Sequence, residues 1–72
     1  MKIKGNEVLW KSEKGNVAVA FSQFDMGDKY KVYHKVSYLP ENIETWAYAY
    51  AYGTMGEAMN CARKIPDNVV VR

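Results

Sequence analysis

A strict alternation of aromatic rings and alanines constrains this chain more than any other feature. It covers residues 46–52, which read Trp-Ala-Tyr-Ala-Tyr-Ala-Tyr. Successive side chains of a β-strand point to opposite faces of a sheet, so a period of two predicts a strand here. All four rings would then lie on one face and all three methyl groups on the other. The segment therefore indicates a sheet with one bulky face and one nearly flat face.

The chain is short and has the composition of a folded protein. Its 72 residues suit a single domain, residues 1–72, and a domain of this size buries only roughly 60% of the surface of its unfolded chain. A hydrophobic content of 49% excludes a disordered chain, and a net charge of +2 is too small to indicate nucleic-acid binding by itself. The N-terminus shows no apolar run typical of a signal peptide or a membrane span, and the single Cys61 fits a reducing compartment. We therefore expect a cytoplasmic protein that does not contact the membrane.

Turn-forming residues divide the rest of the chain into further strands. The alternation of apolar and polar residues predicts strands at residues 7–12, 17–25, 29–38 and 44–52. The connections between them are short and contain Gly15, Gly27 and Pro40. Consecutive strands joined by short turns pair antiparallel, so we expect a four-stranded β-meander.

One helix follows the strands. Thr54 and Glu57 have the spacing of a capping box, in which both side chains satisfy free groups at a helix N-terminus. The helix should extend to about Ile65, because Pro66 cannot continue it, and residues 69–72 read as a short strand at a sheet edge. The predicted fold class is α+β: an antiparallel four-stranded β-meander, one α-helix packed on one face, and a short fifth C-terminal strand (ββββαβ).

A single helix covers only one face of such a sheet, and the sequence favours the aromatic face. The helix stripe is built from alanine and methionine, and small residues on both surfaces would bury too little apolar area. We therefore expect a ring-rich core under the helix, formed by Trp10, Phe21, Tyr30, Val32, Val36, Trp46, Tyr48, Tyr50 and Tyr52.

The opposite face would then be flat and mildly basic. Lysines of the third strand would lie between rows of alanines, which is typical of a docking surface, although long lysine side chains can also simply cover the alanines. The candidate binding residues on this face are Lys29, Lys31, Tyr33, Lys35, Ala47, Ala49 and Ala51.

Single-stranded nucleic acid is the alternative ligand. Rings exposed on a sheet beside lysines bind such strands by base stacking. The candidate residues are Trp46, Tyr48, Tyr50 and Tyr52. The expected register places the lysines on the face away from these rings, which favours the rings as core.

The sequence predicts neither catalysis nor metal binding. His34 alternates with core residues and has no second histidine to complete a metal site, so we expect a buried, hydrogen-bonded histidine. Cys61 has no third group that would orient a thiolate and imidazole pair for nucleophilic catalysis. The glycines form no phosphate-binding loop. We therefore expect no enzymatic activity, no metal and no cofactor.

Residues 52–62 resemble a strand-turn-helix pattern of known proteins. Thr54, Glu57, Ala58 and Ala62 fit T-x-x-E-A-x-x-x-A, which is found in HicB-type antitoxins and in small phage proteins that inhibit host enzymes. The resemblance implies a stoichiometric inhibitor that binds a protein. We therefore expect a non-enzymatic inhibitor or adaptor, a phage-type modulator of host or defence proteins, that docks on a protein partner through the flat basic face or an edge strand. A nucleic-acid-binding module is the alternative, and a subunit of a homodimer is the third interpretation.

Overall fold

The computed structural model describes residues 7–72. Its elements are β1 (Glu7–Lys11), β2 (Val17–Phe21), β3 (Tyr30–Tyr38), β4 (Ile43–Tyr52), α1 (Met55–Lys64) and β5 (Val70–Val71). The expected α+β fold is confirmed, with a four-stranded meander, one helix after it and a short fifth strand. Residues 1–6, on which the expected absence of a signal peptide partly rests, lie outside the described residues.

The sheet follows the order β1-β2-β3-β4, with antiparallel neighbours. β5 pairs parallel with the C-terminal end of β3, where Val36 lies opposite Val70. Since β4 occupies the other edge of β3, β5 continues the line of β2. β2 ends at Phe21 and not at residue 25, because the amide of Ser22 donates to the carbonyl of Lys29 (2.8 Å) and closes the turn.

The core lies between the helix and one face of the sheet. Its fully buried side chains are small: Val17, Val19, Val32, Ala58 and Ala62. Larger residues surround them and are only partly buried, among them Trp10, Tyr30, Tyr52, Met55 and Met59. The expectation of a ring-filled core is therefore wrong in part, because valines fill the centre and rings close its margins.

The helix begins where the sequence predicted. The Thr54 side chain accepts a hydrogen bond from the Glu57 amide (3.3 Å), and its hydroxyl donates to the Glu57 carboxylate (3.0 Å). The amide of Ile65 closes the last turn by donating to the carbonyl of Ala62 (3.2 Å). The N-terminal cap formed by Thr54 fixes the helix start directly after β4 and so holds α1 against the sheet.

Asp67 joins the loop after the helix to the β1–β2 turn. Its carboxylate accepts hydrogen bonds from the Ser12 hydroxyl (2.6 Å) and from the amides of Lys14 (2.7 Å) and Asn16 (3.2 Å). Desolvation, the largest single influence, raises the pKa of Asp67, but these hydrogen bonds together outweigh it and the pKa lies below its ordinary value. The ionised carboxylate thus stabilises a contact between segments more than 50 residues apart.

The helix of the described chain is too short and too polar to cross a membrane.

Candidate docking face

A β-bulge in β4 determines which side chains share a face. Val32 of β3 lies opposite Tyr50, whereas the next residue, Tyr33, lies opposite Tyr48. Ala49 is therefore an extra residue without a partner on β3, and the alternation of faces restarts after it. Directly opposed residues point to the same side of a sheet, so Tyr50 follows Val32 to the helix side and Tyr48 follows Tyr33 to the other side.

The expectation that all four rings share one face is consequently wrong. Tyr50 and Tyr52 lie on the helix side, opposite Val32 and Tyr30. Trp46 and Tyr48 lie on the face that the helix does not cover. The alternation in the sequence cannot reveal that the rings are divided between two faces. The bulge residue, Ala49, is an alanine at a position where the alternation already predicts an alanine.

We call the uncovered face the open face. Directly opposed residues share a face, so the strand pairing places the following side chains on it: Val8, Lys11, Ala18, Ala20, Lys31, Tyr33, Lys35, Ser37, Glu44, Trp46, Tyr48 and Ala51. A second bulge, at Leu9, places Val8 here and Trp10 on the helix side. Both strands at the edges of the meander therefore change face along their length.

The aromatic rings and the lysines of the open face contact one another. The Tyr33 and Tyr48 rings meet edge to face with centroids 6.0 Å apart. The Lys31 ammonium lies 5.2 Å from the centroid of the Tyr48 ring, and the Lys35 ammonium lies 5.4 Å from that of Trp46. These cation–π contacts hold the lysine side chains down across the rings.

The alanines of β2 form the floor of this face. Ala18 and Ala20 are both 0% exposed, with Val8, Tyr33 and Trp46 packed against them. The expected flat face with open alanine rows is therefore not present, because Val8 from β1 and the rings of Tyr33 and Trp46 from β3 and β4 close over the methyl groups. Tyr48, by contrast, remains 56% exposed at the outer side of the face.

Two carboxylates neutralise two of the three lysines on the open face, Lys31 and Lys35. Asp25, from the β2–β3 turn, forms an ion pair with Lys31, and Glu44 lies 3.7 Å from the ammonium of Lys35. The hydrogen bond between Asp25 and Lys31 lowers the pKa of Asp25 and raises that of Lys31. The face is therefore less basic than the lysines alone indicate.

The structure separates the seven candidate binding residues. Lys31, Tyr33, Lys35 and Ala51 lie together on the open face. Ala47 lies opposite His34 on the helix side, and Ala49 is the bulge residue. Lys29 precedes β3, where its ammonium is 3.4 Å from the carbonyl oxygen of Gln23.

Sequence reasoning placed Trp46 and Tyr48 in the core, with nucleic-acid binding as the alternative, and it did not include Asp25 or Glu44 among the binding residues. The one signal in the sequence was the position of these acids near strand ends beside the lysine row. That position alone does not reveal the two ion pairs.

The remaining titratable candidates lie on the helix side. Nε2 of His34 donates to the carbonyl oxygen of Asn68 (2.9 Å), so the expected hydrogen bond is present, although the ring is only half-buried. A hydrogen bond with Cys61 raises the pKa of Tyr52. Tyr50, Tyr52 and Cys61 line an open groove of about 600 Å³ between β4 and the helix.

Among residues 7–72, no group of three or more His, Cys, Asp or Glu side chains is arranged to hold a metal ion.

Comparison with protein families, with curated proteins and with solved structures finds no match to this chain.

Proposed function

We propose that this protein is a non-enzymatic inhibitor or adaptor that docks on a protein partner through the open face. One observation carries the proposal: the bulge at Ala49 brings Trp46 and Tyr48 beside Lys31, Tyr33 and Lys35 on a face that the helix leaves uncovered. The resemblance of residues 52–62 to HicB-type antitoxins and phage inhibitors suggests the same class of function.

The chemistry of the open face suits a protein partner. Tyrosine and tryptophan are enriched in the centres of protein interfaces, where they bury much area and lose little conformational entropy. The rings of Tyr33 and Tyr48 are in edge-to-face contact. Ion pairs with Asp25 and Glu44 hold the lysine side chains in place across the rings. A side chain that is already ordered loses less entropy when a partner binds.

Charge favours a protein over a nucleic acid. Phosphate binding requires uncompensated positive charge, and each phosphate contact adds to the salt dependence of binding. Of the three lysines on the open face, Lys31 and Lys35 are each paired with a carboxylate, so the face has a net charge of about +1 and offers little to a phosphate backbone.

Single-stranded nucleic acid remains the second candidate, because the bulge brings two rings and two lysines onto the same exposed face. That combination is the one used for base stacking with backbone contacts. A fluorescent oligothymidine titrated with the intact protein tests it. Stacking on Tyr48 would give saturable anisotropy that Tyr48→Ala abolishes and that weakens steeply with salt.

The main test compares two tyrosines of the same strand. Tyr48 on the open face is 56% exposed and Tyr50 on the helix side is 57% exposed, so alanine replaces equally accessible rings that differ in face. Intact parent, Tyr48→Ala and Tyr50→Ala proteins serve as baits in extract from the source cells, with and without nuclease. The captured protein is then purified and titrated against all three.

We expect Tyr48→Ala to weaken binding of the purified partner at least tenfold, with Tyr50→Ala close to the parent. Binding should survive nuclease. Equal loss in both variants would show that the open face is not the docking site, and loss of the partner after nuclease would favour the nucleic-acid function.

A further inference from the structure

Two large apolar side chains lie exposed at the turn between β2 and β3. Phe24 is 81% exposed and Met26 is 99% exposed, although a turn of this kind can be formed entirely by polar residues. We call residues 23–28 the β2–β3 tip. The fold of a single copy leaves the apolar surface of this tip in water.

Polar contacts hold the tip in its exposed position. The amide of Asp25 donates to the carbonyl of Ser22 (3.3 Å), and the carboxylate of Asp25 pairs with Lys31. Gly27 adopts a φ of 98°, which turns the chain back towards β3. A loop that is already ordered loses little conformational entropy when it inserts side chains into a cavity.

The groove between β4 and the helix is a cavity of matching chemistry. The rings of Tyr50 and Tyr52, with centroids 6.4 Å apart, line it from β4, and Cys61 and Ile65 line it from the helix side. Its volume of about 600 Å³ lies within the range of roughly 300–1,000 Å³ that is typical of pockets for drug-sized ligands. The groove therefore has room for a phenylalanine ring and a methionine side chain.

The tip and the groove lie side by side in the same molecule. A Cβ atom placed on Gly53 would lie 3.5 Å from a carboxylate oxygen of Asp28, so the tip reaches the junction between β4 and the helix. Tyr52 precedes this junction and Glu57 follows it, and both line the groove. Two neighbouring surfaces of this kind can be exchanged between two copies related by a two-fold axis, which gives two equal contacts and a closed dimer.

The charges of the two surfaces are compatible. The groove contains the carboxylate of Glu57 and the ammonium of Lys64. The tip contributes the carboxylate of Asp28, and Lys29 follows it directly, while the other acid of the tip is held in its ion pair. Each surface therefore offers one charge of either sign to the other, so two copies meet without net repulsion.

We propose that this protein forms a closed dimer in which the β2–β3 tip of each copy inserts Phe24 into the groove between β4 and the helix of the other copy. Phe24 then packs against the rings of Tyr50 and Tyr52, and Asp28 approaches Lys64. The contact uses the helix side of β4 and not the open face, so the dimer does not depend on the proposed function.

Sedimentation equilibrium of the intact protein, from roughly micromolar to millimolar concentration, measures the association. Two tips in two grooves bury less than about 1,200 Å² in total, so we expect a weak equilibrium between monomer and dimer. Phe24→Ser should weaken it about tenfold or more. Ile43→Ser is the matched control, because Ile43 is also apolar and 58% exposed but lies at the other end of β4, and it should dimerise like the parent. A monomer over the whole range, assemblies larger than a dimer, or equal loss in both variants would overturn the proposal.

A mixture of two impaired variants tests the exchange of tips. Phe24→Ser keeps the groove but lacks the inserted ring, whereas Tyr50→Ala keeps the tip but lacks one ring of the groove. Their heterodimer has one intact contact, so the mixture should associate more strongly than either variant alone and more weakly than the parent. A mixture of folded variants that associates no more strongly than its components would refute the exchange.

The parent protein alone decides the question if a variant does not fold by circular dichroism. In a mixture of isotope-labelled and unlabelled parent protein, we expect nuclear Overhauser contacts between Phe24 of one copy and Tyr50 of the other. Their absence at concentrations where the dimer is populated would show that the copies associate through another surface.

Discussion

Deleting Ala49 is the most direct perturbation of the bulge in β4. In the structure, Ala49 is the one residue between Tyr48 and Tyr50 that has no partner on β3. Without it, Tyr48 and Tyr50 become sequence neighbours on opposite faces, as a regular strand requires. Every ring therefore keeps the face that it has in the parent protein.

The expected loss of stability is small. The apolar group removed is one half-buried methyl, which contributes about 1 kcal/mol. If β4 had no bulge, deleting Ala49 would shift the register by one residue and move the two rings on one side of the deletion to the wrong face. The rings of β4 are partly exposed, so each misplaced ring would cost roughly 1–2.5 kcal/mol through its lost ring and cation–π contacts. A domain of 72 residues has a total stability of only roughly 4–11 kcal/mol, so such a variant would lose a large part of it.

Deletion of Ala47 is the matched control, because it removes the same residue type from the same strand. The strand again becomes regular, but now Tyr48 must move to the helix side, opposite His34, and Ala49 takes its place opposite Tyr33. This move breaks the edge-to-face contact with Tyr33 and the cation–π contact with Lys31. The additional cost is roughly 1–2.5 kcal/mol.

Urea denaturation, followed by circular dichroism, measures both variants. With a slope near 1 kcal/mol per molar urea, the midpoint of the Ala47 deletion should lie about 1–2.5 M below that of the Ala49 deletion. Nuclear Overhauser contacts between the Tyr33 and Tyr48 rings should persist in the Ala49 deletion and disappear in the Ala47 deletion. If removing Ala49 destabilises the protein as much as removing Ala47, the proposed division of the rings between two faces is incorrect.

Three further predictions concern the framework that holds the open face. Val32→Ala should lower the free energy of unfolding by about 2–3 kcal/mol, since Val32 is fully buried under the helix; an unchanged urea midpoint would contradict this assignment of the core. Thr54→Ala should lower the free energy of unfolding by about 1 kcal/mol, because it removes the helix N-cap. A double variant that also carries Glu57→Ala should lose less stability than the two single variants added together, because both side chains belong to the same cap. Asp67→Asn should lower the melting temperature at pH 7, because the folded protein favours the ionised carboxylate of Asp67. This stabilisation is present above the unfolded pKa of Asp67 and is lost as the pH falls through its lowered folded pKa, so the melting temperatures of parent and variant should converge in acid. A difference in melting temperature that does not depend on pH would refute this prediction.

Local sequence signals determined the order and type of the elements. Gly15 and Gly27 adopt the positive φ that their turns require, Thr54 caps the helix, and Pro66 follows its end. The simple alternation of β3 also survives, with Val32 and Val36 buried on one face and Lys31 and Lys35 on the other. These features could be predicted because each depends on the conformational preference of a few neighbouring residues.

The pairing of strands decided what the local signals could not. Ala49 looks like every other alanine in its alternating segment, and only its lack of a partner on β3 reveals the bulge that moves Trp46 and Tyr48 to the open face. Asp67 likewise has no local signal for its contact with Ser12, which lies 55 residues earlier in the chain. A residue's face and its long-range partners depend on the register between segments. That register is set by packing of the whole sheet against the helix, and not by the sequence of any single strand.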